Sequence, residues 1–489
     1  MLQDSIGSVL CARHLRIPEQ PLKMNVKLYS SLSLLGAVGL LTNAYCADTP
    51  AAVSGSGAWQ KPAWLTDLTL GVKESYDNNV LLVSGNGMQP QASWVSTVSP
   101  KIGFNFAPLL GNQNTNALQT LSLVYAPDFN IYEGASSQSY DAHKIGDTIK
   151  GRTGDFSYSL DNAFLYNDGN KQTPIYGPAN GGNSYDQYRS TYAQSVPRER
   201  MAQTQDRATI LLQYDWEKFF VRPTASLLDY NLMTDWHNTS AIAGSPAPIP
   251  GYQDYVDRYD VNGGVDLGYK LTPKLAATLG YRYGSQYQQQ FPGWVTTDHH
   301  YSSSDYQRLL LGLEGKPLSW LNVKLAGGPD FRSYNSMTPV NDLHPIKYYG
   351  EAVLTAAITP SQTVTFNYKQ WQWVSSTGKV PYLDSTYALA YHWNATKQLG
   401  LDLGGKVLES DYTEGSEATP SGQNSSLRDD MEFEISAGVT YAFTPHLSAN
   451  VAYTYDLGDN AMNTLPASLG PGYRDFEHQV VSLGLQYKF

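Results

Sequence analysis

The chain has 489 residues, of which 16% are charged and 12% aromatic, with 36 Tyr, 42 Gly and a formal net charge of −11. An acidic balance argues against a nucleic-acid partner or a surface built for anionic lipid, since both are met by basic groups. Many Tyr and Gly without long apolar runs fit one large unit of alternating strands and polar loops, not a string of globular domains.

Residues 1–23 have no apolar core and contain Pro18 and Pro21, so they read as an over-extended start, with translation beginning at Met24. Lys27, the apolar stretch Leu32–Leu41 and the small-residue stretch Ala44–Ala47 have the three-part layout of a secretory signal. Residues 24–47 are therefore predicted to be a signal peptide cleaved near Cys46 or Ala47, and its apolar stretch is too short for a permanent membrane helix. Cys11 and Cys46 both fall outside the mature chain, which leaves no disulfide and no cysteine metal site. A lipid-modified Cys46 is the competing reading, against which the bulky Tyr45 speaks. Residues 48–64 read as a short periplasmic segment and 65–489 as a β-barrel.

Period-two alternation carries the barrel reading, because successive strand side chains face opposite sides and a barrel in lipid needs apolar residues outside. In Glu434–Phe443, the residues Ile435, Ala437, Val439, Tyr441 and Phe443 share one face and Glu434, Ser436, Gly438 and Thr440 the other. Leu447–Tyr455 repeats the rule after a turn at Thr444-Pro445. Similar short turns are expected at Leu271-Thr272-Pro273, Gly315-Lys316-Pro317, Thr359-Pro360 and Trp393–Thr396. Between them lie long polar stretches, Asn167–Gln203, Met233–Tyr255, Gln289–Ser304 and Glu414–Ser426, which read as extracellular loops. Strict alternation of short and long connections predicts an all-β transmembrane antiparallel barrel of about 18 strands, with N and C termini periplasmic. Weak alternation in Tyr140–Lys150 and around Pro223 keeps 16 open. A soluble β-sandwich or propeller is the alternative, but neither needs an apolar outer band around a polar inside.

The last strand sets Val481, Leu483, Leu485, Tyr487 and Phe489 against Ser482, Gly484, Gln486 and Lys488 and stops on the aromatic. Tyr487 and Phe489 thus look like the terminal signal read by the outer-membrane barrel assembly machinery. Trp216, Trp320, Trp393 and Tyr441 suit interfacial aromatic girdles. The opening strand runs Leu68-Thr69-Leu70-Gly71-Val72, then Ser75-Tyr76-Asp77-Asn78-Asn79-Val80, with Ser99-Pro100-Lys101-Ile102-Gly103 soon after. On these residues the chain resembles a β-barrel porin family whose members include exopolysaccharide-associated outer-membrane proteins, a resemblance that would extend over Leu65–Phe489. It implies a porin-like barrel and brings no catalytic residues and no named solute.

With the apolar face outward, the inward-facing bases are predicted to be Lys73, Lys101, Arg207, Arg222, Lys270, Arg282, Arg308, Lys324, Lys369, Lys406 and Lys488. The inward acids are Asp161, Asp266, Glu314, Asp402, Glu434 and Asp456. The excess is basic, which points to anionic solutes; the opposing reading is that the bases pair with the acids and brace the wall. His392 should face the lumen as polar lining. Asp298-His299-His300 reads as a solvated loop, because adjacent histidines without spaced partners make a poor ligand set. Asp254, Asp257 and Asp260, or Asp429 and Asp430, do not have the spacing of a calcium loop. No cofactor, metal or catalytic constellation is expected. After Thr359-Pro360, Val364, Phe366 and Tyr368 take one face while Trp371 and Trp373 take the other. A β-bulge near the rim would return both rings to the outer girdle, and that is the favoured expectation; without it they face the channel as a platform for saccharides.

Two functions stay open: a porin-like channel passing small hydrophilic solutes, anions or saccharides among them, and a barrel that exports, anchors or assembles surface exopolysaccharide without being an open pore. The expected partners are outer-membrane lipid, lipopolysaccharide and the assembly machinery, with the oligomeric state open.

Overall fold

The computed structural model describes residues 61–82, 90–110, 117–169, 202–233, 257–289, 303–334, 346–374, 381–411, 428–462 and 476–489, with backbone alone at 428–430 and 460–462. The predicted signal segment, the predicted over-extended start, Cys11, Cys46, Asp254, Asp298-His299-His300 and most of the predicted extracellular loops lie outside the described residues.

The strands are β1 (Leu65–Asp77), β2 (Ser93–Asn105), β3 (Thr120–Tyr125), β4 (Asp128–Tyr132), β5 (Tyr140–Thr153), β6 (Phe156–Asn167), β7 (Gln203–Trp216), β8 (Phe219–Leu232), β9 (Arg258–Thr272) and β10 (Leu275–Gln288). They continue as β11 (Ser304–Leu318), β12 (Leu321–Tyr334), β13 (Ile346–Thr359), β14 (Gln362–Trp373), β15 (Tyr382–Asn394), β16 (Leu399–Asp411), β17 (Arg428–Ala442), β18 (Leu447–Met462) and β19 (Phe476–Lys488). All belong to one 19-stranded sheet that closes through β1 on β19. β3 and β4 each pair with both β2 and β5, so they are two halves of one barrel position broken at Ala126-Pro127. Nineteen segments therefore make an 18-strand closed antiparallel barrel. A proline between the halves cannot donate to the ladder, which accounts for a break at that point.

The weakly alternating regions are full strands, β5 and β8, with Pro223 inside β8 facing outward opposite Val265. One predicted turn is displaced. Gly315–Pro317 belongs to β11, where the register shifts between Gly315 and Leu318, and the chain turns at Ser319-Trp320 instead. Gly315 has φ 126°, a conformation side-chain-bearing residues avoid, so this glycine makes a bulge rather than a turn.

Face assignment follows from exposure and register. Leu70 and Val72 on β1, Ile210 and Leu212 on β7, Leu309 and Leu311 on β11, and Leu483 and Leu485 on β19 are large, apolar and exposed. Pairing carries their phase round the sheet, setting Leu70 beside Tyr487, Leu212 beside Tyr158 and Leu309 beside Tyr281. The other face is the concave one, because Arg222 on β8 bonds Glu314 on β11 across two intervening strands, a chord that exists only inside a curved sheet. An apolar outer face around a polar inner one, in a sheet closed on itself through β1 and β19, is the transmembrane barrel arrangement. Trp216, Trp320 and Tyr441 stand exposed at the short-turn end, as girdle residues do.

The Tyr76–Asn79 motif closes the ring. At the long-loop end of the seam, Asn78 N donates to Gln479 O at 3.2 Å, Gln479 N to Asn78 Oδ1 at 2.7 Å, and Asn79 Nδ2 to Glu477 O at 2.9 Å. His478 sits between Asp77 at 3.2 Å and Asp456 at 2.9 Å, tying β18, β19 and β1 together on the concave side. At the other end Phe489 N donates to Leu68 O at 3.0 Å. Purified barrel is expected to run as a heat-modifiable band, since a closed ring resists detergent until it opens. Asp77→Ala with Asn79→Ala should remove roughly 1–3 kcal/mol of seam hydrogen bonding. The expected readout is a lower temperature of band conversion on unboiled gels, and an unchanged one would show that the seam holds without its clasp.

Candidate functional site

β14 and β15 stay paired to their loop ends, Trp371 opposite Asp384, Gln372 opposite Leu383 and Trp373 opposite Tyr382, with no register shift along the hairpin. β13 and β14 do not: their pairing ends at Gly350–Gln370, although β12–β13 continues to Phe331–Ile346. β14 has therefore parted from β13 at this end, while β15 stays on β16 as far as Leu383–Asp411. The end of β14 lies in the lumen, where Gln372 O accepts from Gln286 Nε2 on β10 at 3.0 Å and from Arg332 Nη2 on β12 at 3.1 Å. Val374 O accepts from Arg258 Nη1 on β9 at 2.9 Å.

The expected bulge is absent, so Trp371 and Trp373 keep the concave phase of Lys369. Their rings stack on each other at 4.4 Å and 19°, and Lys369 Nζ stands 3.7 Å over the Trp371 ring. Trp371 Nε1 donates to Asp384 at 3.0 Å. Both rings are covered, Trp373 to 3% exposure, in a cluster with Val374 and Tyr382 that packs on Leu228, Tyr230 and Tyr349. Arg258 stands over the rings of Tyr230 and Trp373, 5.0 and 5.1 Å from their centroids, while the two rings lie 6.3 Å from each other. Two stacked, buried indoles fill space and offer no open face to a passing sugar.

A polar layer behind the cluster holds it. Asp260 accepts from Tyr306 Oη at 3.0 Å and from Gln286 Nε2 at 2.9 Å. Asp330 takes Arg308 at 2.7 Å and Arg332 at 3.0 Å, and Arg332 also donates to Gln286 Oε1 at 2.7 Å. Arg308 stacks over Tyr306 at 4.0 Å and Tyr349 at 4.5 Å. Tyr306 lies flat on the wall because its neighbour is Gly284, where a Cβ would stand 2.4 Å from the ring. Each charged group at this depth faces an opposite charge, a hydrogen-bond partner or a ring, and removing one partner strands the other in a medium of low dielectric.

Around the rest of the ring the thirteen charged residues Lys101, Arg207, Arg222, Asp266, Lys270, Arg282, Arg308, Glu314, Lys324, Lys369, Asp402, Lys406 and Glu434 take the concave phase. Most stand in ion pairs. Arg222 bonds Glu314 and lies 3.7 Å from Asp266, which takes Arg282 at 2.7 Å. Lys101 meets Asp67 at 2.6 Å, Lys270 meets Asp215 at 2.8 Å, Lys324 meets Glu351 at 3.3 Å and Lys406 meets Glu434 at 3.5 Å. His392 contacts Asp402 at 2.6 Å. The concave side also carries groups missing from the sequence tally, the acids Asp67, Asp128, Asp215, Asp330, Asp384 and Glu351 and the bases Lys144, Lys150, Arg152, Arg258, Arg332 and Lys347, and most of these acids stand beside bases. Bracing pairs, not a bare positive wall, describe these residues.

No family model and no curated protein matches the chain. Among solved structures it is similar to the outer-membrane protein OpdK of Pseudomonas aeruginosa, at 11% identity and TM-score 0.41 over 86% of this chain and 99% of that one. It is also similar to OccAB4 of Acinetobacter baumannii, at 11% and 0.38 over 86% and 98%, and to a mutant of the ferric enterobactin receptor PfeA of P. aeruginosa, at 8% and 0.41 over 87% and 81%. With identities of 8–11% and TM-scores near 0.4, the function of this chain has to be read from its own geometry.

Proposed function

We propose that the chain is an integral outer-membrane protein, a porin-like channel for small hydrophilic solutes, with both termini and the short turns on the periplasmic side. The observation that carries this reading is the lumen itself. An 18-strand ring is wide enough for water, and here one side of that lumen is narrowed by the Trp371–Val374 hairpin end, docked on β8–β12. A built constriction within a polar, ion-paired wall suits selection of small solutes by size better than passage of a polymer. The paired bases support weak ion selectivity in place of a preference for anions. Tyr487 and Phe489, both outward and packed edge to face at 4.8 Å, fit a terminal signal presented to assembly machinery from the lipid side.

In planar bilayers the purified protein is expected to form small, stable channels. Trp371→Ala with Trp373→Ala should raise single-channel conductance at least roughly twofold by emptying the constriction; an unchanged conductance would place the narrowest point elsewhere, and no conductance at all would sink the channel reading. Arg222→Ala should leave Glu314 without its charged partner, lower stability by about 2 kcal/mol in urea titrations and move the reversal potential toward cations. A shift toward anions, or none, would count against the bracing role of the pairs. Deleting Phe489 should reduce assembled, heat-modifiable barrel while leaving export intact, measured by comparing outer-membrane and periplasmic fractions; equal assembly would remove the terminal signal from the account.

A further inference from the structure

The split between β13 and β14 joins two strands that both continue past it. Above Gly350–Gln370, β13 runs on to Ile346, held from its far side by Phe331, and β14 runs on to Trp373, held from its far side by Tyr382. Extending the interrupted register sets Tyr348 against Gln372 and Ile346 against Val374. Gln370, Gln372 and Val374 have one parity, so their carbonyls leave β14 from the edge that pairs with β13 at Gly350. Inside the barrel, the carbonyls of Gln372 and Val374 are the ones taken by Gln286, Arg332 and Arg258. A single strand edge thus has two sets of donors, side chains in the lumen and the backbone of β13 in the wall.

Two further observations belong to the same split. A cavity of about 210 Å³ opens at the split, lined by Ile346 and Tyr348 of β13, Gln370 and Gln372 of β14, and Leu383 and Asp411 of the paired strands β15 and β16. Gln370 Nε2 reaches Tyr348 O at 3.3 Å, bridging the point where the ladder stops. Parity is the same in both arrangements: rejoined, Gln372 faces outward beside Tyr348, and Trp371 and Trp373 remain on the concave side but withdraw from Tyr230 and Arg258 to their own stretch of wall. Neither arrangement needs a slip of register, which would turn every side chain over.

We infer that the loop end of the β14–β15 hairpin is a gate with two hydrogen-bonded positions, docked across the lumen on β8–β12 or zipped into the wall along β13. The inference rests on the channel reading only for its effect on current. Docking trades ladder bonds for a buried polar network and an apolar cluster; zipping restores a continuous wall and widens the passage. A solute or voltage that favours one position would shift the population by its differential interaction with the two.

The test is a disulfide trap on the outward face, Tyr348→Cys with Gln372→Cys, residues that become direct partners only in the zipped form. Ala352→Cys with Tyr368→Cys, already partners, is the control for folding and oxidation. The expected result is oxidant-dependent cross-linking of both pairs, a conductance rise of roughly twofold or more for the first pair alone, and reversal by reductant. Acrylamide quenching of tryptophan should rise with the cross-link as Trp373 leaves its buried seat. Failure of the first pair to cross-link while the control does would overturn the gate, as would a cross-linked barrel with unchanged current and quenching. Should neither form conduct, the channel reading fails, and cross-linking and quenching still decide whether the strand switches.

Discussion

Every peptide group in a lipid-embedded sheet has to find its hydrogen-bond partner within the protein, and from this requirement the rest of the architecture follows. It forces closure of β1 on β19, and it makes the seam the place where side chains are recruited to help, as Asp77, Asn78, Asn79 and His478 are. It also explains why the abandonment of pairing between β13 and β14 occurs at their loop ends and is compensated. The carbonyls that lose a ladder partner gain Gln286, Arg332 and Arg258, long polar side chains that reach the edge from strands β9, β10 and β12 on the near side of the ring. The buried polar network is thus the counterpart of a missing stretch of sheet.

Much of this was legible in the sequence, because alternation is a local property and the barrel is built from it. Once Leu483 and Leu485 face lipid, Ser482 and Gly484 cannot, and the same step places Lys101, Arg222 or Lys406 on the concave side. The parity of Trp371 and Trp373 was equally plain; what misled was the expectation that exposed-type aromatics belong in the outer girdle, which called for a bulge that is not there. The bend of the hairpin end into the lumen left no trace in that pattern. A strand has the same alternation whether it stands in the wall or leans across the barrel, and the choice depends on Arg258, Gln286 and Arg332, far away in the chain. Likewise Gly315-Lys316-Pro317 has turn composition, yet a glycine at positive φ serves a bulge as well as a turn.

The division of charge between the two faces is sharper than composition suggests. Lys and Arg at paired positions, from Lys73 to Lys488, take the concave phase. Carboxylates occur on both faces: Glu74 accepts from Ser96 on the outer side, and Asp206 stands opposite Asp229 there. Burying a base against hydrocarbon midway along a strand costs more than burying a carboxylate there, in line with a lipid-side face that has carboxylates at these positions and bases at none of these paired positions.

That asymmetry bears on the order of events during biogenesis. An arginine presented to the hydrocarbon midplane costs about 2–4 kcal/mol, and a flat sheet of these strands entering lipid would present many at once. Most of these bases meet an acid on the strand next to them, as Lys101 meets Asp67 and Lys406 meets Glu434, whereas Arg222 reaches Glu314 over two strands and only in a curled sheet. Strand pairing by itself therefore shelters most of the bases, and the tie between Arg222 and Glu314 is the one among these pairs that reports the roundness of the wall.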